Sequence, residues 1–216
     1  ATRAAVSTAP VMPPKAELKS SPGIFFISGV NLVDKVLGNE DGLQKLSKYV
    51  PGAEHFNWYQ EGAVISEVKK RPAHEPIILV GYGAGGDSAV SISQKLNTVE
   101  HGFKKVDLMI TLDAFGFNHD IIPSNVKSHL NVIKDTFFSD GPHIAKDTRM
   151  TEVINELRPE GGKDLDKSND VQFMVMKKIS EALADTDRFN TLVKDAYERF
   201  DKLKSDKQNI IGISLD

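Results

Sequence analysis

PIILVGYGAGGDSA, residues 76–89, is the stretch on which the fold turns. Ile77–Val80 is an apolar, strand-sized run of the kind that is buried in a sheet. It breaks into Gly81, Tyr82, Gly83, Ala84, Gly85 and Gly86, and DSAVSISQKLN (87–97), a run of small residues, reads as a helix. A strand that turns this sharply into a helix needs residues without a Cβ, for positive φ and for close packing of helix on strand. Gly81, Gly83 and Gly86 also have the G-x-G-x-x-G spacing of a dinucleotide cradle. That reading asks for an acid at the end of the next strand, about 20 residues on. Asp113 stands 27 residues past Gly86, and two strand-like segments precede the glycines although the fingerprint normally opens its unit. A nucleotide-binding oxidoreductase is therefore the weakest reading.

Outward from this turn, short apolar runs alternate with amphipathic ones. GIFFIS (23–28), HFNWYQ (55–60), VDLMITLD (106–113), HLNVIK (129–134) and TEVINEL (151–157) read as strands. NEDGLQKLSKYV (39–50), with Leu43, Leu46 and Val50 on one face, and GAVISEVKKR (62–71) read as helices. Two helical stripes close the chain: Val171, Met174, Val175, Ile179, Ala182 and Leu183, then Phe189, Leu192, Val193, Ala196, Phe200 and Leu203. IIGISL (210–215) is apolar but has no assigned place. The alternation predicts an α/β fold, a mostly parallel sheet of about six strands flanked by helices on both faces. A single domain over 23–216, preceded by a flexible tail over 1–22, accounts for the whole chain.

Composition bounds the chemistry. With 216 residues, 40% hydrophobic, 26% charged and a formal charge of −3, nothing points to nucleic acid or an anionic membrane. The absence of cysteine excludes disulfides, a thiol nucleophile and thiolate metal sites. No apolar run approaches the ~18 residues of a spanning helix. The Ala/Pro/Ser/Lys-rich start lacks the apolar core of a signal peptide. Both a mature N-terminus left after export, periplasmic or secreted, and a trimmed one read this way.

Position by position, the glycine turn resembles the nucleophile elbow of the α/β-hydrolase superfamily, in its lipase and esterase branch, where a strand runs into G-H-S-x-G-G and on into a helix of small residues. Gly81 matches the first glycine, Tyr82 the residue before the nucleophile, Gly83 the serine itself, and Gly85 and Gly86 the closing glycines. ISGVN (27–31) falls where that fold places its oxyanion loop, so the resemblance implies a ligand-binding set of Val30, Asn31, Tyr82 and Ala84. VDLMITLDAFG (106–116) looks like the following strand and offers Asp113 as triad acid. ELRPEGGKDLDKSND (156–170) is similar to the loop that carries the histidine, and Gly162-Lys163 stands where that family often has Gly-His. The resemblance covers residues 23–184.

What it implies is an elbow without its chemistry: glycine at the nucleophile and Lys163 at the base. Serine at such a turn costs roughly 1–3 kcal/mol of backbone strain. Glycine keeps the turn with little strain and removes the hydroxyl. Among the six histidines, His119 and His143 fall on predicted loops near strand ends and are the two with a path to the turn. Asp164, Asp166 and Asp170 hint at a calcium loop, but Asn169 and Val175 replace the glycine and glutamate that loop requires. A solvated, helix-capping acidic loop is expected instead, with no metal and no cofactor. The function expected is that of a catalytically degenerate hydrolase-like protein, a binding or scaffolding module whose cleft takes a protein or a small carbonyl or anionic ligand. The alternatives are an active ester or acyl hydrolase using another group, Tyr82 or Ser88, and an inactive Ser→Gly variant of an enzyme.

Overall fold

The computed structural model describes residues 21–29, 41–116, 120–134, 141–158 and 165–187. The strands are β1 (Gly23–Ser28), β2 (Ala53–Asn57), β3 (Ile77–Tyr82), β4 (Val106–Leu112), β6 (Val126–Lys134) and β8 (Glu152–Arg158). They form one six-stranded sheet in the order β2-β1-β3-β4-β6-β8, with every neighbouring pair parallel. Two further strands of two residues each, β5 (Ile121–Ile122) and β7 (Ile144–Ala145), pair with each other. The α/β class and its six parallel strands match the expectation from sequence.

The helices are α1 (Gly42–Ser47), α2 (Glu61–Lys69), α3 (Ala84–Leu96) and α4, described over 169–187. Alternate residues of the same strands feed two apolar clusters. Ile24, Phe26, Ile78, Val80 and Ile110 pack with Leu43 and Leu46 of α1 and with Val171, Val175 and Ile179 of α4. Phe25, Ile27, Leu79 and Met109 pack with Val64 and Val68 of α2 and with Ala89, Val90 and Ile92 of α3. Because successive side chains of a strand point to opposite faces, the two clusters lie on opposite sides of the sheet. Chain direction explains the division. From β1 the chain steps one way to β2, then back past β1 to β3 and onward to β4. Right-handed crossovers in opposite directions put α1 on one face and α2 and α3 on the other. The reversal leaves a topological switch point between the carboxyl ends of β1 and β3, the place where open α/β sheets hold their ligands.

Three details depart from the sequence reading. Trp58–Gln60 is a 3-10 turn, not the end of β2, because Gln60 Oε1 accepts from Asn57 N at 2.8 Å and closes the strand there. The helix after the glycines begins at Ala84, three residues earlier than expected. Asp166 is fully buried, not solvated: its Oδ2 accepts from Gly42 N at 2.7 Å and so serves the first turn of α1. The tail over 1–20, the second stripe over 189–203 and IIGISL lie outside the described residues.

Candidate functional site

Gly83 follows β3 and caps α3 with φ 58 and ψ −126, a backbone that residues with a Cβ rarely hold. Its backbone is fully engaged: N donates to Leu112 O at 3.0 Å, and O accepts from Gly86 N at 2.9 Å and Phe115 N at 3.4 Å. The turn is also crowded from below. A Cβ on Gly85 would sit 2.0 Å from Ile27 O, so only glycine lets α3 start this close to β1. One built on Gly29 would lie 2.6 Å from Tyr82 O and 2.8 Å from Ala84 N, so the end of β1 touches the turn directly. The geometry thus gathers Gly29, Tyr82, Gly83 and Ala84 at the switch point.

The segment after β4 closes the other side. Asp113, at φ 46, is one of two non-glycine residues with positive φ among the described residues, and its N donates to Val132 O at 2.9 Å. Phe115 follows, 44% exposed, with its ring against Gly83: a Cβ there would meet Phe115 Cε1 at 3.0 Å. Aromatic surface therefore stands where a serine side chain would project. Tyr82 is half-buried against the core. Ser88 is buried and donates to Trp58 O at 2.8 Å, which removes it as a candidate nucleophile. Val30, Asn31, His119 and Lys163 lie outside the described residues.

His143 lies in a loop, as expected, and away from the turn. It is buried, stacked on His129 with ring centroids 5.1 Å apart, and its Nδ1 lies 2.8 Å from His129 Nε2. His129 sits beside Met109, which pairs in turn with Leu79, four residues before Gly83. At ~3.3 Å per residue that is about 13 Å down the strands, besides two strand spacings sideways. His129 Nδ1 lies 3.1 Å from Met109 O, so Nδ1–H donates there and Nε2 accepts from His143. Burial first, then the neighbouring His143, depresses the His129 pKa to about 3, against the Met109 carbonyl, which raises it. A polar ladder continues from this pair. His143 N donates to Asn155 Oδ1 at 2.8 Å, Asn131 Nδ2 to the same oxygen at 3.0 Å, and Thr111 Oγ1 to Asn131 Oδ1 at 2.9 Å.

A second polar group, unmarked by any local motif, lies at the end of β1. Ser28 is 1% exposed; its Oγ donates to Asp41 Oδ1 at 2.9 Å and lies 2.7 Å from His55 Nε2. Asp41 Oδ1 also accepts from Gln44 N at 2.8 Å as the N-cap of α1. Since Ser28 gives its proton to the carboxylate, the imidazole Nε2–H donates to Ser28 Oγ. A serine, a histidine and an aspartate meet here, but the serine stands in the middle and the histidine is a donor. Sequence spacing could not reveal this cluster, because His55 reaches Ser28 only diagonally across the β1–β2 pairing, which sets it opposite Phe26.

Among the described residues, no three His, Asp or Glu side chains are grouped so as to hold a metal ion. Among them too, no helix is long and apolar enough to cross a membrane. No protein-family model matches the chain, and no curated protein matches it.

Proposed function

We propose that this chain is a catalytically degenerate, α/β-hydrolase-like protein that works as a binding or scaffolding module through the cleft at the carboxyl ends of β1 and β3. The observation that carries the reading is Gly83: a positive-φ strand-to-helix turn of the elbow kind, at a switch point, with no side chain to attack a carbonyl and an aromatic ring over the vacant position. The first-turn amides of a 13-residue helix supply donors for a carbonyl or anion at that turn. An NMR titration with butyrate, a short carboxylate, tests binding. Saturable shifts at the Ala84 and Gly85 amides support the proposal. Shifts confined to other parts of the chain, or none, contradict it.

The Ser28–His55 contact favours a second reading, an acyl hydrolase with an unconventional site. It ranks lower for two reasons. A nucleophile must reach its substrate, and Ser28 is 1% exposed. A base must accept the hydroxyl proton, and that proton is held by Asp41. Ser28→Ala separates the readings: it leaves butyrate binding in place under the first and abolishes any esterase activity under the second.

A further inference from the structure

At the far end of β4 from Gly83, a cleft of about 370 Å³ opens at the amino ends of β4 and β6. Its size falls within the ~300–1,000 Å³ of small-molecule sites. One wall is the ring of Phe103, 59% exposed; Met150, 60% exposed, adds a second apolar surface. Lys105, Lys127 and Ser124 line the same space.

Phe103 is held there against its own preference. Its φ is 50, directly after Gly102 at φ 65, and a bulky residue with positive φ is a true outlier. Its surroundings fix the conformation: Phe103 N donates to Thr98 O at 3.0 Å, and Lys104 N to Leu96 O at 2.9 Å. The Lys104 ammonium ties the turn to Arg71 O at 2.7 Å and Pro72 O at 2.9 Å. Strain that neighbours maintain marks functional positions. A phenylalanine left 59% exposed gives little burial in return for it, so burial alone does not account for the residue.

Charge defines what the ring would meet. Lys105 is paired with Asp107 at 2.9 Å, whereas Lys127 is exposed and has no ion pair among the described residues. The two lysines also border a neighbouring depression where Asp107, Asp185 and His74 lie, so the acidic groups belong to that side. On the Phe103 side the lysines are the only charged lining residues among those described. Asn125 lines it as well: its Nδ2 donates to Ser93 O and Lys104 O, both at 2.9 Å, while its buried Oδ1 has no partner.

We infer that this cleft is a second ligand site, for a small organic anion with a flat apolar ring. The ring stacks on Phe103 and Met150, and the anionic group faces Lys127. The site lies about 20 Å from the glycine turn, the length of the seven-residue strand between them, and does not depend on the reading of Gly83.

The probe is 8-anilinonaphthalene-1-sulfonate, which carries a sulfonate and aromatic rings. Its fluorescence is titrated against the folded full chain, with melting curves recorded in parallel. Saturable binding is expected, weakened at least about tenfold by Phe103→Gly and by Lys127→Glu. Phe103→Gly is expected to keep or raise the melting temperature, because glycine accepts φ 50. Tyr49→Ala, an exposed aromatic outside both clefts, is expected to bind as the natural chain does. Absent saturable binding, affinity unchanged in both Phe103→Gly and Lys127→Glu, or loss of binding in Tyr49→Ala would each overturn the inference. Loss of binding in Phe103→Gly together with a lower melting temperature would overturn it too, since the ring would then be a prop for the fold.

Discussion

The ring of Phe115 stands over Gly83, so close that a Cβ built on the glycine would lie 3.0 Å from Cε1. Backbone strain and an occupied site therefore act together against any side chain at residue 83. Gly83→Ser is expected to destabilise the fold by roughly 1–3 kcal/mol. Adding Phe115→Ala should recover the part due to the ring and leave the part due to φ. Chemical denaturation of the two variants measures both; a Gly83→Ser protein as stable as the natural chain would contradict the geometry described for the turn.

The buried histidine pair sets a pH dependence. His129 titrates near 3 in the folded protein, against an ordinary value of 6.5, so the unfolded chain binds the proton first as pH falls. The stability tied to neutral His129 is complete above about 6.5 and is lost progressively toward pH 3. Over that window the slope approaches about 1.4 kcal/mol per pH unit. Denaturation at a series of pH values should show it, and His129→Gln should flatten it despite starting lower. A natural chain equally stable at pH 7 and pH 4 would rule out this role for the pair.

Ser28, Asp41 and His55 join the end of β1 to the start of α1 and to β2. Ser28→Ala removes the contact to His55 Nε2 and one of the donors to Asp41, at a cost of about 1–2 kcal/mol. In a double-mutant cycle with Asp41→Ala, the coupling energy should fall in the ~0.5–3 kcal/mol range of residues that share a hydrogen bond. Strictly additive effects would mean that the contact contributes nothing.

Much of the sheet was legible because strands covered on both faces read as apolar runs: GIFFIS and IILV needed no periodicity to be recognised. The stripe Val171, Met174, Val175, Ile179, Ala182 and Leu183 was legible for the complementary reason, since only one side of α4 meets the core. The glycine turn could be read from its spacing, because each close approach forbids a Cβ. The two-residue strands β5 and β7 could not, being too short for any period. Nor could His143 be placed, because a loop position says nothing of the partner that buries it. Asp166 was misread for the same reason: an acidic run looks solvated until Gly42 N arrives from 124 residues away in sequence. The candidate site divides likewise. Gly83 and its neighbours followed from local pattern, whereas Phe115 over the turn and Ser28 against His55 are products of tertiary packing.

Hydrolysis of short-chain nitrophenyl esters by the highly purified natural chain tests the central claim most directly. With no nucleophile at Gly83, activity should not exceed the residual 10³–10⁴-fold over water that an oxyanion hole and binding alone provide, roughly. It should also be indifferent to Ser28→Ala. Turnover at an ordinary enzymatic ~1–10³ s⁻¹, abolished by Phe115→Trp or by Ser28→Ala, would show that the cleft is a working active site and that the degenerate reading is wrong.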